Sequence, residues 1–108
     1  MLTTPVTHLL PPQQELEETF DALVEQWRGD TLFVSSTTEI VMHAAYQRII
    51  GLGPQVLPFI FRELQARPGQ WFWALHAITG DDPLEDGDSF ATMTSKWLKW
   101  GREHGYIE

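Results

Sequence analysis

Five carboxylates fall between Gly80 and Ser89: Asp81, Asp82, Glu85, Asp86 and Asp88. Clustered carboxylates are what a hard cation such as calcium requires. The spacing does not fit an EF-hand loop, because Gly87 comes directly before Asp88 and no glutamate stands at the closing position. The plainer reading is a solvated interhelical loop whose acids cap helices. A third use is mimicry, in which the row of negative charge stands in for nucleic-acid phosphates before a basic enzyme.

The histidines His8, His43, His76 and His104 are widely separated, with no pair at helical metal-site spacing and no His-Glu-x-x-His motif. His43, near Tyr46 and Gln47, and His76, inside an aromatic run, read as packed histidines that bond a carbonyl or a surface group. A small metal-dependent hydrolase would need His43, His76 and a loop carboxylate to meet, and the spacing does not select that arrangement. There is no cysteine and no Gly-x-Ser-x-Gly elbow. The Ser35-Ser36-Thr37-Thr38 run is a helix cap. Gly51-Leu52-Gly53-Pro54 opens a helix as phosphate loops do, but it follows a helix rather than a strand and lacks a lysine, so it reads as a turn. These residues give a non-enzyme with no metal and no cofactor.

The aromatic set is the stronger lead. Five Trp, six Phe and two Tyr are many for 108 residues, and each buries a large area in a core or at an interface. Trp27, Trp71 and Trp97 are expected in the core. Trp71 and Trp73 lie two apart and so point to different sides of a helix. Trp73 and Trp100, with Phe72 beside them, are the candidate partner anchors, rimmed by Asp81, Asp82, Glu85, Asp86 and Asp88.

Length and composition suit one domain, with 43% hydrophobic and 20% charged residues. The net charge of -8 argues against direct binding of nucleic acid. No apolar run approaches the length of a bilayer span, and residues 1–12 lack the basic and apolar regions of a signal peptide. The expectation is a cytoplasmic protein that binds no membrane.

Residues 1–12 read as an arm, blocked from helix by Pro5, Pro11 and Pro12 and pinned by Val6, Leu9 and Leu10; residues 13–108 form a single helical domain. The first helix should run from Gln13 to just before Gly29, with Leu16, Phe20, Leu23, Val24 and Trp27 on one stripe. A loop from Asp30 to Ser36 should bury Phe33. A second helix should span Thr38–Ile50, entered through a capping box of Ser36 and Glu39. The third runs to Ala66 with a bent or late start set by Pro58, and its Arg62, Glu63 and Arg67 face water. The fourth, Gln70–Thr79, is apolar nearly all round. The fifth, capped by Asp88 or Ser89, carries Phe90, Met93, Trp97, Leu98, Trp100 and Gly101 on one side, and Tyr106 and Ile107 fold back after Gly105.

The rhythm from Ala44 to Gly80 resembles the helical hairpins of HEAT-type repeats, which implies a central hairpin and a protein-holding role. The block from His43 to Gly53, then Pro58, Arg62-Glu63-Leu64, Trp71 to Leu75 and Ile78-Thr79-Gly80, with Trp97 to Gly101, resembles a family of short uncharacterised bacterial proteins over about residues 20–106. Ala44 departs from that family's pattern, where a proline is expected. The resemblance supplies no activity and no functional residue. The reading as a whole is an all-α, compact five-helix domain with a HEAT-like central hairpin. Its function would be a noncatalytic protein–protein interaction module, an accessory or regulatory subunit of a larger bacterial protein, with another protein as partner and a homodimer also allowed. The alternatives are an acidic antitoxin-like or anti-defence inhibitor that mimics nucleic acid, and the small hydrolase.

Overall fold

The computed structural model describes residues 11–108, and the rest of the arm, with Val6, Leu9 and Leu10, lies outside them. The apolar stripe of the first segment makes the longest helix, α1, Pro11–Asp30. Phe20, Leu23, Val24 and Trp27 are buried along it, as their spacing requires. Pro11 and Pro12 are not the end of an arm but the start of this helix. The first amides of a helix have no carbonyl to bond, so proline costs nothing there. Nor does Gly29 stop α1. The helix runs one residue further, and the Thr31 hydroxyl and amide then both donate to the Trp27 carbonyl, at 2.7 and 3.0 Å.

The connector does not bury Phe33, which is 95% exposed. A tight turn closed by the Val34 amide on the Thr31 carbonyl throws it outward. The buried Trp27 ties the end of α1 to the next segment, its indole N–H donating to the Ile40 carbonyl at 2.8 Å.

The expected second helix is two helices: α2, Thr37–Val41, and α3, Ala44–Gly51. Ser36 caps α2 by accepting from the Glu39 amide. The break at Met42-His43 is held from both sides. Gln47 donates its side-chain amide to the Val41 carbonyl at 2.8 Å. His43 caps α3, its Nδ1 accepting from the Ala45 amide at 3.0 Å while its Nε2 meets the Asp30 carboxylate at 3.0 Å. Side chains thus satisfy the backbone groups that a continuous helix would have paired. The domain therefore has six α-helices among the described residues rather than five, and no strand.

A single 3-10 turn, Pro54–Val56, delays α4 to Leu57–Ala66. Pro58 accordingly sits in the first turn of α4, where it breaks no hydrogen bond. Glu63 does not face water. It is buried between Arg28 of α1, at 3.3 Å, and Arg67, at 3.0 Å. Arg62 bonds Glu17 and Asp21, and Arg67 also reaches Glu25, so an ionic strip joins α4 to α1.

Helix α5 is Phe72–Thr79 and α6 is Phe90–Glu103. Ser89, not Asp88, caps α6 by accepting from the Thr92 amide at 3.1 Å. After Gly105, at φ 82°, the Tyr106 amide returns to the Gly101 carbonyl, and Tyr106 and Ile107 lie against the core. Helix α1 packs on α3, α3 on α5, and α6 on both α4 and α5.

The centre is aromatic. Trp71 lies 4.9 Å from Trp27, 5.9 Å from Tyr46 and 6.0 Å from Phe20, centroid to centroid. The fully buried Tyr46 hydroxyl donates to the Gln70 carbonyl at 2.8 Å and accepts from the Ala74 amide at 2.9 Å. That one group ties α3 to the start of α5. Burial pushes the Tyr46 phenol well above its ordinary 10.0, against a smaller opposing effect of the Ala74 amide. No helix among the described residues is long and apolar enough to cross a membrane.

Candidate functional site

Helices α2, α5 and α6 do not close on one another, and a groove of about 550 Å³ runs between them. Val41 comes from the end of α2 and Met42 from the break after it, Phe72, Trp73 and His76 from α5, Leu84 from the acidic loop and Trp97 from α6. Thr37, Thr38, Gln70 and Asp82 supply the polar edge. The break after α2 is what turns Met42 into this space; it is 60% exposed.

Trp73 is 51% exposed and Trp71 is fully buried, so the two-residue spacing separates them as their sequence positions require. Phe72, on the same groove, is buried and meets Phe90 edge-on at 5.4 Å. Trp97 also lines the groove, and its buried indole N–H finds no acceptor among the described residues. A buried donor without a partner costs about 1–3 kcal/mol.

Trp100 stands apart from this groove. It is half-buried in a stack with Phe61 and Tyr106, each 5.9 Å away, and His104 at 3.8 Å. Its indole N–H donates to Asp81 at 2.9 Å. Of the two candidate anchors, Trp73 lies on the groove and Trp100 is engaged in this stack.

The five loop acids have different surroundings. Lys96 holds Asp88 at 2.8 Å and Glu85 at 3.1 Å. The Lys96 ammonium, with the Glu85 amide, keeps the Asp88 carboxyl below its usual range. Asp88 also accepts from that amide, so it pins the loop instead of capping α6. Asp81 is bonded by Trp100, and Asp82 accepts from the Leu84 amide. Among the described residues no Lys or Arg reaches Asp82 or Asp86. The row of charge is thus partly neutralised within the chain.

His8 lies outside the described residues, and the other histidines serve backbone and surface groups. His76 shares a hydrogen bond with the Asp81 carbonyl at 2.9 Å, and His43 is the α3 cap bound to Asp30. Among the described residues no three His, Asp or Glu side chains converge in a way that could hold a metal ion.

Sequence reasoning named Phe72, Trp73 and Asp82 of this groove and missed Val41, Met42 and Leu84. The available signal for Met42 was His43 followed by two alanines, a side-chain acceptor before a fresh helix start. Leu32, Phe33 and Phe90 are likewise exposed. Leu32 lines a smaller cleft, of about 280 Å³, which meets the groove at Gln70. Of the large exposed apolar side chains, Met42 and Trp73 line the groove and Leu32 the smaller cleft. Compared with family models, curated proteins and solved structures, the chain matches none.

Proposed function

We propose that this chain is a noncatalytic docking module, an accessory or regulatory subunit that binds another protein through the groove between α2, α5 and α6. The observation that carries the reading is Trp73, half out of the fold beside the exposed Met42 on an apolar groove. A large aromatic held over an apolar cleft is the pattern of an interface anchor. Leu32 lines the smaller cleft that shares Gln70 with the groove, Phe90 packs on Phe72, and Asp82 puts charge on the groove's edge. Trp100 is left out of this surface because its ring is engaged inside the fold.

The test is affinity capture with the wild-type chain and with Trp73→Ala, followed by measured affinities for each protein recovered. The variant should keep its melting temperature, and it should lose at least about 2 kcal/mol of binding, the range of an interface hot spot. A partner held equally well by both chains would defeat this reading of the groove.

A further inference from the structure

We infer that the segment this groove takes is a cationic amphipathic helix, with apolar side chains along one ridge and Lys or Arg flanking it. The inference rests on the docking reading above and adds the partner's conformation and charge.

The conformation follows from the walls. Val41, Met42, Phe72, Trp73 and Leu84 supply few hydrogen-bonding groups. An extended segment laid on them would leave its backbone N–H and C=O groups unpaired, and no strand among the described residues offers an edge to pair with. A helix satisfies its own backbone and presents only side chains. A groove between helices is the usual seat of such a ridge.

The charge follows from what is missing. No Lys or Arg lines the groove. Asp82 on its edge, Asp86 on the same loop and Glu39 on α2 have no cation within ion-pairing distance among the described residues. The chain's own cations are largely engaged elsewhere: Arg28, Arg62 and Arg67 in the α1–α4 strip and Lys96 within the acidic loop. The net charge of -8 draws a basic partner in and repels a second copy. A two-fold dimer through this face would set the same unpaired acids of both chains against each other. The occupant must therefore bring the positive charge.

The probe is a displayed library of helix-forming peptides with a fixed apolar ridge at i, i+3/i+4 and i+7 and randomised flanks. It is selected on the full wild-type chain and counter-selected on Trp73→Ala. The expected winners carry a net positive charge on their flanks. Their affinity should fall about tenfold on the double change Asp82→Asn and Asp86→Asn, and should weaken as salt is raised. Selection on Asp82→Lys, at an exposed position, should move the recovered flanks toward Glu. Trp73-dependent winners with neutral or acidic flanks would overturn the inference while leaving the docking groove intact. A library that yields no Trp73-dependent binder would overturn both. Sedimentation showing a dimer that Trp73→Ala dissolves would put a second copy in the groove and refute the cationic helix.

Discussion

Two helical glycines should respond to the same substitution with opposite signs. Gly29, near the end of α1, has nothing within 4 Å of where a Cβ would stand. Gly29→Ala should therefore give up only backbone freedom of the unfolded chain and gain about 0.5 kcal/mol or somewhat more. Gly101 lies on the buried side of α6. A Cβ there would sit 2.8 and 2.9 Å from two carbons of the Phe61 ring. Carbon atoms in contact prefer about 3.5–4.0 Å, so the ring would have to retreat by most of an ångström. It has nowhere to go, because Phe61 is fully buried and stacks on Trp100 at 5.9 Å and Tyr106 at 5.6 Å. Overpacking costs about 1–3 kcal/mol, and the helix-propensity gain of about 0.5–1 kcal/mol offsets part of it. The net expectation for Gly101→Ala is a loss of about 1–2 kcal/mol. At about 4–8 °C per kcal/mol for a domain of this size, the melting temperature should fall by about 4–16 °C. Thermal and urea unfolding followed by far-ultraviolet circular dichroism reads both variants. Phe61→Leu, which shrinks the obstructing ring, should recover part of the loss when combined with Gly101→Ala. A Gly101→Ala chain that melts at or above the wild type would refute the packing of α6 on α4 described above.

Tyr46→Phe strands the Gln70 carbonyl and the Ala74 amide in the core, so urea unfolding should show a loss of about 2–4 kcal/mol; a neutral result would mean that water reaches those groups. The same tyrosine sets an alkaline limit. Its folded value lies above its ordinary 10.0, so the stability it contributes is complete below pH 10 and is lost as pH rises above it, at up to about 1.4 kcal/mol per unit. Tyr46→Phe should lack that decline, and identical alkaline profiles for the two chains would assign it to another group. Trp100→Ala should lower stability by about 2 kcal/mol, less than a full core truncation because the ring is only half-buried. A variant that melts with the wild type would return Trp100 to the surface.

Helix existence and type were legible wherever an apolar stripe ran for two turns or more. The α1 stripe placed Phe20 and Trp27 correctly, and Ser89, Gly80 and Gly105 marked ends that the structure keeps. Two kinds of information were not legible. One is a helix too short to show a period: α2 has five residues, and only Ser36, its N-cap, and His43, the N-cap of α3, betray it. The other is pairing over long sequence separation. Glu63 reads as an exposed acid until Arg28, 35 residues earlier, is brought beside it. Phe33 reads as core until the turn closed by Val34 on Thr31 leaves it exposed. For the site, the spacing of Trp71 and Trp73 announced that one of the two could be uncovered. Trp71 reads as core and Trp73 as a surface anchor, and the structure keeps that order.

The groove is built where regular structure is interrupted. Met42 belongs to a two-residue break, Gln70 to a turn, and Asp82 and Leu84 to a loop, while Trp97, the α5 residues and Thr37, Thr38 and Val41 of the short α2 come from helices. Each interruption is held by side chains that have no part in the groove's lining. His43 and Gln47 fix the break, Tyr46 fixes the Gln70 carbonyl, and Lys96 with Asp88 fixes the loop. The aromatic core and the α1–α4 ionic strip can therefore carry the stability of the domain while the apolar side chains along the groove stay uncovered. An uncovered Trp that contributes little to folding is free to contribute to binding, which is the division of labour a docking module needs.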